Sequence, residues 1–139
     1  MRFHKLNVLH NWFREEAKRG SMVGHVAGVV LGEKERSPLW SALEKEVKRD
    51  HPSCASCASK VGLNVHHIKP FHLHPELELE TDNLIVLCMD VNECHLLIGH
   101  GDNFKAYNAD VVQDAAMLLA HPELRAEVVA KAKANRLMQ

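Results

Sequence analysis

The feature that most restricts how this chain can fold is a set of four cysteines arranged as two pairs around a histidine-rich stretch. Cys54-Ala-Ser-Cys57 is a knuckle whose two-residue spacing aims both sulfurs at one point, and Cys88 and Cys94, separated by Met89 to Glu93, supply a second pair. Four thiolates converging in a tetrahedron suit a structural zinc ion, whose closed shell leaves no position open for chemistry. A reducing compartment favours metal binding over disulfides for such cysteines. The alternative is four free, partly buried thiols, and the wide second spacing is what speaks for it.

A metal that closes so long a loop contributes to folding directly, on the order of 10 kcal/mol by analogy with zinc-finger peptides. At 139 residues the chain is long enough for one compact core and short for two. No apolar run reaches the roughly 18 residues of a membrane span, and the first twenty residues, with Glu15 and Glu16 among them, lack the apolar centre of a secretory signal. The expectation is a cytoplasmic protein with no membrane partner.

Leu6, Leu9, Trp12 and Phe13 recur at helical spacing and predict an amphipathic first helix over Leu6–Lys18, followed by a glycine-punctuated connector; together these make an N-terminal segment, 1–35. Ser37-Pro38 predicts a helix opening, with a helix to about Asp50 whose apolar stripe is Leu39, Trp40, Leu43 and Val47. Leu63 to Ile68 and Asn83 to Cys88 read as strands on either side of a polar loop, Phe71–Asp82. Cys94–Gly99 reads as a short helix carrying His95. Asn108 and Pro122 predict the starts of two C-terminal helices, ending near Ala120 and Leu137, that pack on the same domain as a 109–139 unit.

Formal net charge is −1 with histidines neutral, so no overall basic excess marks a polyanion binder. The local distribution differs from the total. Arg49, Lys60 and Lys69 lie beside the cysteine and histidine motifs and are the candidate nucleic-acid contacts, with a solvated charged face as the plain reading of Arg49. Phe104 and Tyr107 read as core, and His72 and His74 as exposed loop residues.

Between the cysteine pairs runs Val65-His66-His67-Ile68-Lys69-Pro70, followed by Asp82-Asn83-Leu84 and then by Cys94-His95. With eleven histidines in the chain a single one means little. An adjacent pair at a strand end, a later Asn and a Cys-His dipeptide in this order are far more specific. The set Cys-x-x-Cys, His-His-Ile-x-Pro, Asn-Leu, Leu-Cys and Cys-His resembles the HNH endonuclease family over 36–108.

That resemblance implies an α+β fold built on a ββα-metal (His-Me finger) core with a zinc knuckle and flanking helices. It implies a metal-dependent endonuclease that hydrolyses DNA phosphodiester bonds. His67 would be the general base, Asn83 the group that holds the hairpin loop and so orients His67, and His95 a catalytic residue that also ligates a divalent ion (Mg²⁺, Mn²⁺, Ni²⁺ or Zn²⁺) together with His66. The pattern departs after His95, where Gly99 stands at the position of a further polar group in many relatives; His100, the next residue, would complete the ligand set or touch the phosphate. Double-stranded DNA is the implied partner, and cutting both strands with a single active site favours a homodimer or two successive nicks. Two other readings compete: a catalytically silent, zinc-stabilised nucleic-acid-binding module, and a metal buffer or sensor, which accounts for the ligands but not for the Asn or the order of the motif.

Overall fold

The structure, a computed structural model, describes residues 35–139. The expected first helix and connector lie outside the described residues. The described chain runs α1 (Trp40–Asp50), β1 (Leu63–His67), β2 (Leu84–Cys88), a helical turn (His95–Gly99), β3 (Ala106–Tyr107), α2 (Val111–Ala120), α3 (Arg125–Asn135) and β4 (Leu137–Met138). It is α+β, with two separate two-stranded antiparallel sheets, β1–β2 and β3–β4. No helix among the described residues is long and apolar enough to cross a membrane.

Helix α1 begins two residues beyond Pro38 rather than at Ser37-Pro38. The Ser37 hydroxyl accepts the Leu39 N–H (3.2 Å) and its carbonyl accepts the Trp40 N–H (3.0 Å), so Ser37-Pro38 forms a lead-in turn. The helix stops at Asp50 before His51-Pro52, with Lys48 and Arg49 in its last turn, where cations oppose the negative end of the helix dipole. Its apolar stripe meets one face of the β1–β2 hairpin: Leu43 and Val47 pack on Val65 and Val86, with Trp40 alongside.

The hairpin register pairs Leu63 with Cys88, Val65 with Val86 and His67 with Leu84. Successive strand residues face opposite sides, so His67 shares the α1 side with Val65, while His66 shares the other with Leu87. That second side meets the main core, where Leu87, Ile98, Val111, Leu118 and Val128 join three of the cysteines. An isolated two-stranded hairpin is marginal in water. Here both faces are covered, and the adjacent histidines are delivered to different neighbours.

The loop between the strands is more ordered than a polar linker, with short 3₁₀ turns at Pro75–Leu77 and Thr81–Asn83 and with Phe71 and Glu78 buried. In the C-terminal part Asn108 is fully buried. Its amide donates to the Ile98 carbonyl (3.0 Å) and to Asp114 Oδ2 (2.8 Å), and Lys131 holds the other Asp114 oxygen at 2.7 Å. This ties the helical turn, α2 and α3 together, so Asn108 acts more widely than a helix cap. Pro122 opens a 3₁₀ turn before α3, and the final helix ends at Asn135, short of Leu137. Leu137 and Met138 instead pair with Tyr107 and Ala106, taking up backbone groups of that strand.

Candidate metal centres and the histidine cleft

The four cysteines come together at the base of the hairpin. Their sulfurs all lie within 4.8 Å of one another, and Cys57 Sγ and Cys88 Sγ are 3.7 Å apart. Two sulfurs on one tetrahedral zinc at about 2.3 Å would be roughly 3.8 Å apart, so the donor set fits such an ion. The knuckle is shaped by backbone: Ala58 N–H donates to the Cys54 carbonyl (2.9 Å) and Ala58 takes φ +60°, which turns the chain back after Cys57. Cys54, Cys88 and Cys94 are buried. Hydrogen bonding from Cys94 lowers the Cys54 thiol to about 4, and the same contact pushes Cys94 up, so the charge of the pair falls on Cys54 and Cys94 keeps its proton. Burial raises Cys57. Arg125 of α3 reaches the group, donating to Cys94 Sγ (3.6 Å) and to the Asn92 carbonyl.

A second group forms from His66, His95 and His100, whose ligand nitrogens also lie within 4.8 Å of one another. His95 and His100 are brought together by the winding of the turn that carries them. His100 N–H bonds to the His95 carbonyl (3.1 Å), a π-type i to i+5 closure. In a regular α-helix residues five apart point about 140° from each other; the wider turn places the Nε2 atoms 3.2 Å apart. His100 therefore joins His66 and His95, although it stands five residues after His95 and Gly99 four.

His100 Nδ1 donates to the Ala106 carbonyl (2.7 Å), which leaves its Nε2 lone pair facing His95 Nε2, while His95 Nδ1 lies beside Met89 Sδ (2.8 Å). Two facing lone pairs there would repel unless a proton or cation lay between them. Nitrogens on a tetrahedral ion at 2.0 to 2.1 Å would be roughly 3.3 Å apart. His66 Nε2 is buried and has no hydrogen-bond partner among the described residues. An orphaned ring nitrogen beside two convergent ones fits a bound cation.

All three rings are held neutral at pH 7. Burial, then the neighbouring His95 and His100, keep His66 well below the ordinary histidine range. Burial followed by His100 takes His95 to about 4. Burial lowers His100, partly offset by its bond to Ala106. Neutral imidazoles are the form that binds metal. Gly99 packs closely on this group: a Cβ there would sit 3.1 Å from His66 Cε1 and Nδ1, so the ring would have to give by a few tenths of an ångström. Gly99→Ala is expected to weaken metal binding at the three histidines by about ten- to a hundredfold while leaving the cysteine centre loaded, as read by titrating Ni²⁺ into zinc-loaded protein.

His67 is not part of that triad. Its ring stacks on Trp40 (centroids 4.6 Å apart, planes at 27°), and its Nε2 donates to the Glu78 carbonyl at 3.0 Å. That bond fixes the Nε2–H tautomer and leaves the Nδ1 lone pair as the basic atom. Burial lowers its proton affinity, opposed by the Glu78 bond, with Arg36 lowering it further. His66, His67, His95 and His100 all line one open cleft of about 230 Å³ at the loop end of the hairpin.

Asn83 closes that end. Its Oδ1 accepts the Lys69 N–H (2.8 Å) and its amide donates to the carbonyls of Lys69 (3.0 Å) and Leu77 (3.4 Å). These bonds run to the backbone just beyond the end of β1, the strand that carries His67. Asn83→Ala strands the Lys69 peptide groups, and the expected cost is about 1–3 kcal/mol, visible as a Tm lower by roughly 5–10 °C in a thermal melt.

Three cleft features have little signal in the sequence. Arg36 and Glu78 come together only through the fold, and Glu78, in an acidic run, is buried with both oxygens accepting the Ser37 N–H (3.1 and 3.2 Å). Phe104 is not core; it is half-exposed, with its ring 5.0 Å from His100 and 6.1 Å from His95. Among the candidate nucleic-acid contacts, Lys60 and Lys69 are exposed outside the cleft lining, and exposed Arg49 pairs with Glu46 (3.6 Å) and Asp50 (3.4 Å). Comparisons with family profiles, curated proteins and solved structures return no match to this chain.

Proposed function

We propose that the protein is a metal-dependent phosphodiesterase. More narrowly, we infer an HNH-type endonuclease with a ββα-metal core, whose substrate is DNA in double-stranded form. The observation that carries this reading is His67: a neutral imidazole with Nε2–H engaged by a carbonyl and Nδ1 left basic, in the same cleft as three convergent histidines.

In the proposed reaction His67 Nδ1 takes a proton from water as the water attacks phosphorus in line with the leaving 3′ oxygen. Trp40 and the Glu78 carbonyl hold the ring so that this nitrogen does not turn away, and Asn83 holds the strand end. His66, His95 and His100 would hold a divalent ion, which when bound supplies charge stabilisation for the phosphoryl oxygens and the departing oxygen. Three histidine ligands leave further coordination positions open, as catalytic sites require, whereas the four cysteines fill theirs and would hold zinc as scaffold. This contrast favours an enzyme over a silent binding module. The double-stranded substrate rests on the resemblance of the His-His-Ile-x-Pro, Asn-Leu and Cys-His motifs.

The test is nicking of supercoiled plasmid by protein stripped of its exchangeable metal, with Mg²⁺, Mn²⁺, Ni²⁺ or Zn²⁺ added back. Metal-restored nicking is the expected result. Folded, zinc-loaded protein that nicks with none of the four would leave the nucleic-acid-binding module as the better reading.

A further inference from the structure

The cleft has a cation that the metal and base do not account for. Arg36 precedes α1, and its guanidinium lies over the Trp40 ring (4.7 Å) and the Phe71 ring (4.9 Å). Cation–π packing on two rings holds a guanidinium in place without consuming its N–H donors. Its acidic neighbour among the described residues, Glu78, is at 3.8 Å, beyond direct hydrogen-bond distance, and accepts the Ser37 N–H. The Arg36 side chain keeps 49% of its surface exposed. Among the described residues that line the cleft, Arg36 is the only arginine or lysine.

Its position is also informative. Trp40 is the shared wall: Arg36 lies over this ring and His67 stacks on it, whereas His66, His95 and His100 lie on the opposite side of the hairpin. A phosphodiester anion drawn into the cleft would therefore meet the histidine group on one side and a forked donor on the other. A guanidinium matches phosphate geometry with two parallel N–H···O bonds, which an ammonium cannot do.

We propose that Arg36 is a substrate-binding residue that contacts a phosphate of the bound DNA strand beside His67, with Trp40 and Phe71 as the shelf that presents it. This inference rests on the phosphodiesterase reading and adds the residue that holds the substrate anion. Its sequence signal was weak, because an Arg before a helix is ordinary; the assignment depends on the two aromatic rings being brought beneath it.

The experiment measures binding rather than turnover, so that it stands apart from catalysis. A fluorescein-labelled DNA duplex of mixed sequence is titrated with Ni²⁺- and zinc-loaded His67→Ala protein carrying Arg36, Arg36→Lys or Arg36→Gln, across a salt series, each variant first checked by thermal melting. Arg36→Gln is expected to weaken binding roughly five- to tenfold at 0.1 M salt and to lower the slope of log K against log salt by about one. Arg36→Lys is expected to restore the slope while recovering only part of the affinity. Equal affinity and slope in all three proteins would overturn the assignment of Arg36 and leave the nuclease reading standing. A loss of affinity with an unchanged slope would also overturn it, by reducing Arg36 to a packing role. If the Arg36 protein shows no salt-dependent binding of the duplex, the DNA reading itself falls and this inference with it.

Discussion

His67→Ala is expected to abolish metal-dependent plasmid nicking, with the rate falling about 10²–10⁴-fold, in protein that stays folded and binds metal at both centres. The reason for separating these readouts is the hairpin. His66 and His67 are neighbours in sequence but face opposite sides of β1, so removing the His67 ring deletes a Trp40 stack and one bond to the Glu78 carbonyl without touching the nitrogens near His95 and His100. A loss of Ni²⁺ binding together with nicking would mean that the substitution had disturbed the triad and would count against His67 as a distinct base. The pH profile gives an independent check. Burial holds the His67 proton affinity down, so the neutral base persists below the ordinary histidine value of about 6.5, and the acid limb of the rate should lie below that pH. His67→Gln, which keeps a planar polar group against Trp40 but cannot accept a proton at this pH, should be as inactive as the alanine variant.

The parts of this fold that could be read from the sequence are those written in short-range chemistry. The Cys-x-x-Cys knuckle, the strand alternation around Val65 and the apolar stripe of α1 each declare themselves within a few residues, and Leu43 and Val47 do cover Val65 and Val86. The grouping of Cys54, Cys57, Cys88 and Cys94, and of His66, His95 and His100, is present in the structure. The places where reading failed depend on contacts between distant segments. Leu137 continues a helical pattern but is drawn into a strand because Tyr107 offers an unpaired backbone edge. Phe104 looks like core by type, yet its neighbours are the rings of His95 and His100 and its outer face is open.

The sequence leaves two roles open for His100 because regular helical spacing separates it from His95. Residues five apart do not share a face in an α-helix, and nothing in His95-Leu-Leu-Ile-Gly-His100 announces an i to i+5 closure. The wider turn is paired with Gly99, whose missing side chain admits the His66 ring from the neighbouring strand. Arg36 and Glu78 are the same problem at longer range. They are 42 positions apart in sequence, and only the loop that folds over α1 makes one the neighbour of the other.

The second large effect is expected at the cysteine centre. Cys88→Ser should lower Tm by well over 10 °C and release the tightly held zinc, whereas removing the exchangeable ion from the three histidines should shift Tm far less. Cys88 ends β2, Cys54 and Cys57 lie in the knuckle before β1, and Cys94 leads directly into the turn that carries His95 and His100. Three of the four are fully buried within the same cluster as Leu87, Ile98 and Val111, so the donor set and the main core are one packing unit. A structural zinc contributes on the order of 10 kcal/mol of coupled folding energy, comparable with the whole stability of a domain this size, about 5–15 kcal/mol. Losing one thiolate should therefore loosen the hairpin, the π-wound turn and α3 through Arg125 in a single transition. The check is thermal melting followed by circular dichroism, with zinc counted by native mass spectrometry before and after a mild chelator. One zinc per chain should survive the chelator in the parent and be absent from Cys88→Ser. A Cys88→Ser protein that melts within a few degrees of the parent would mean that apolar packing alone holds the core, and the cysteines would then be buried thiols with no scaffold ion.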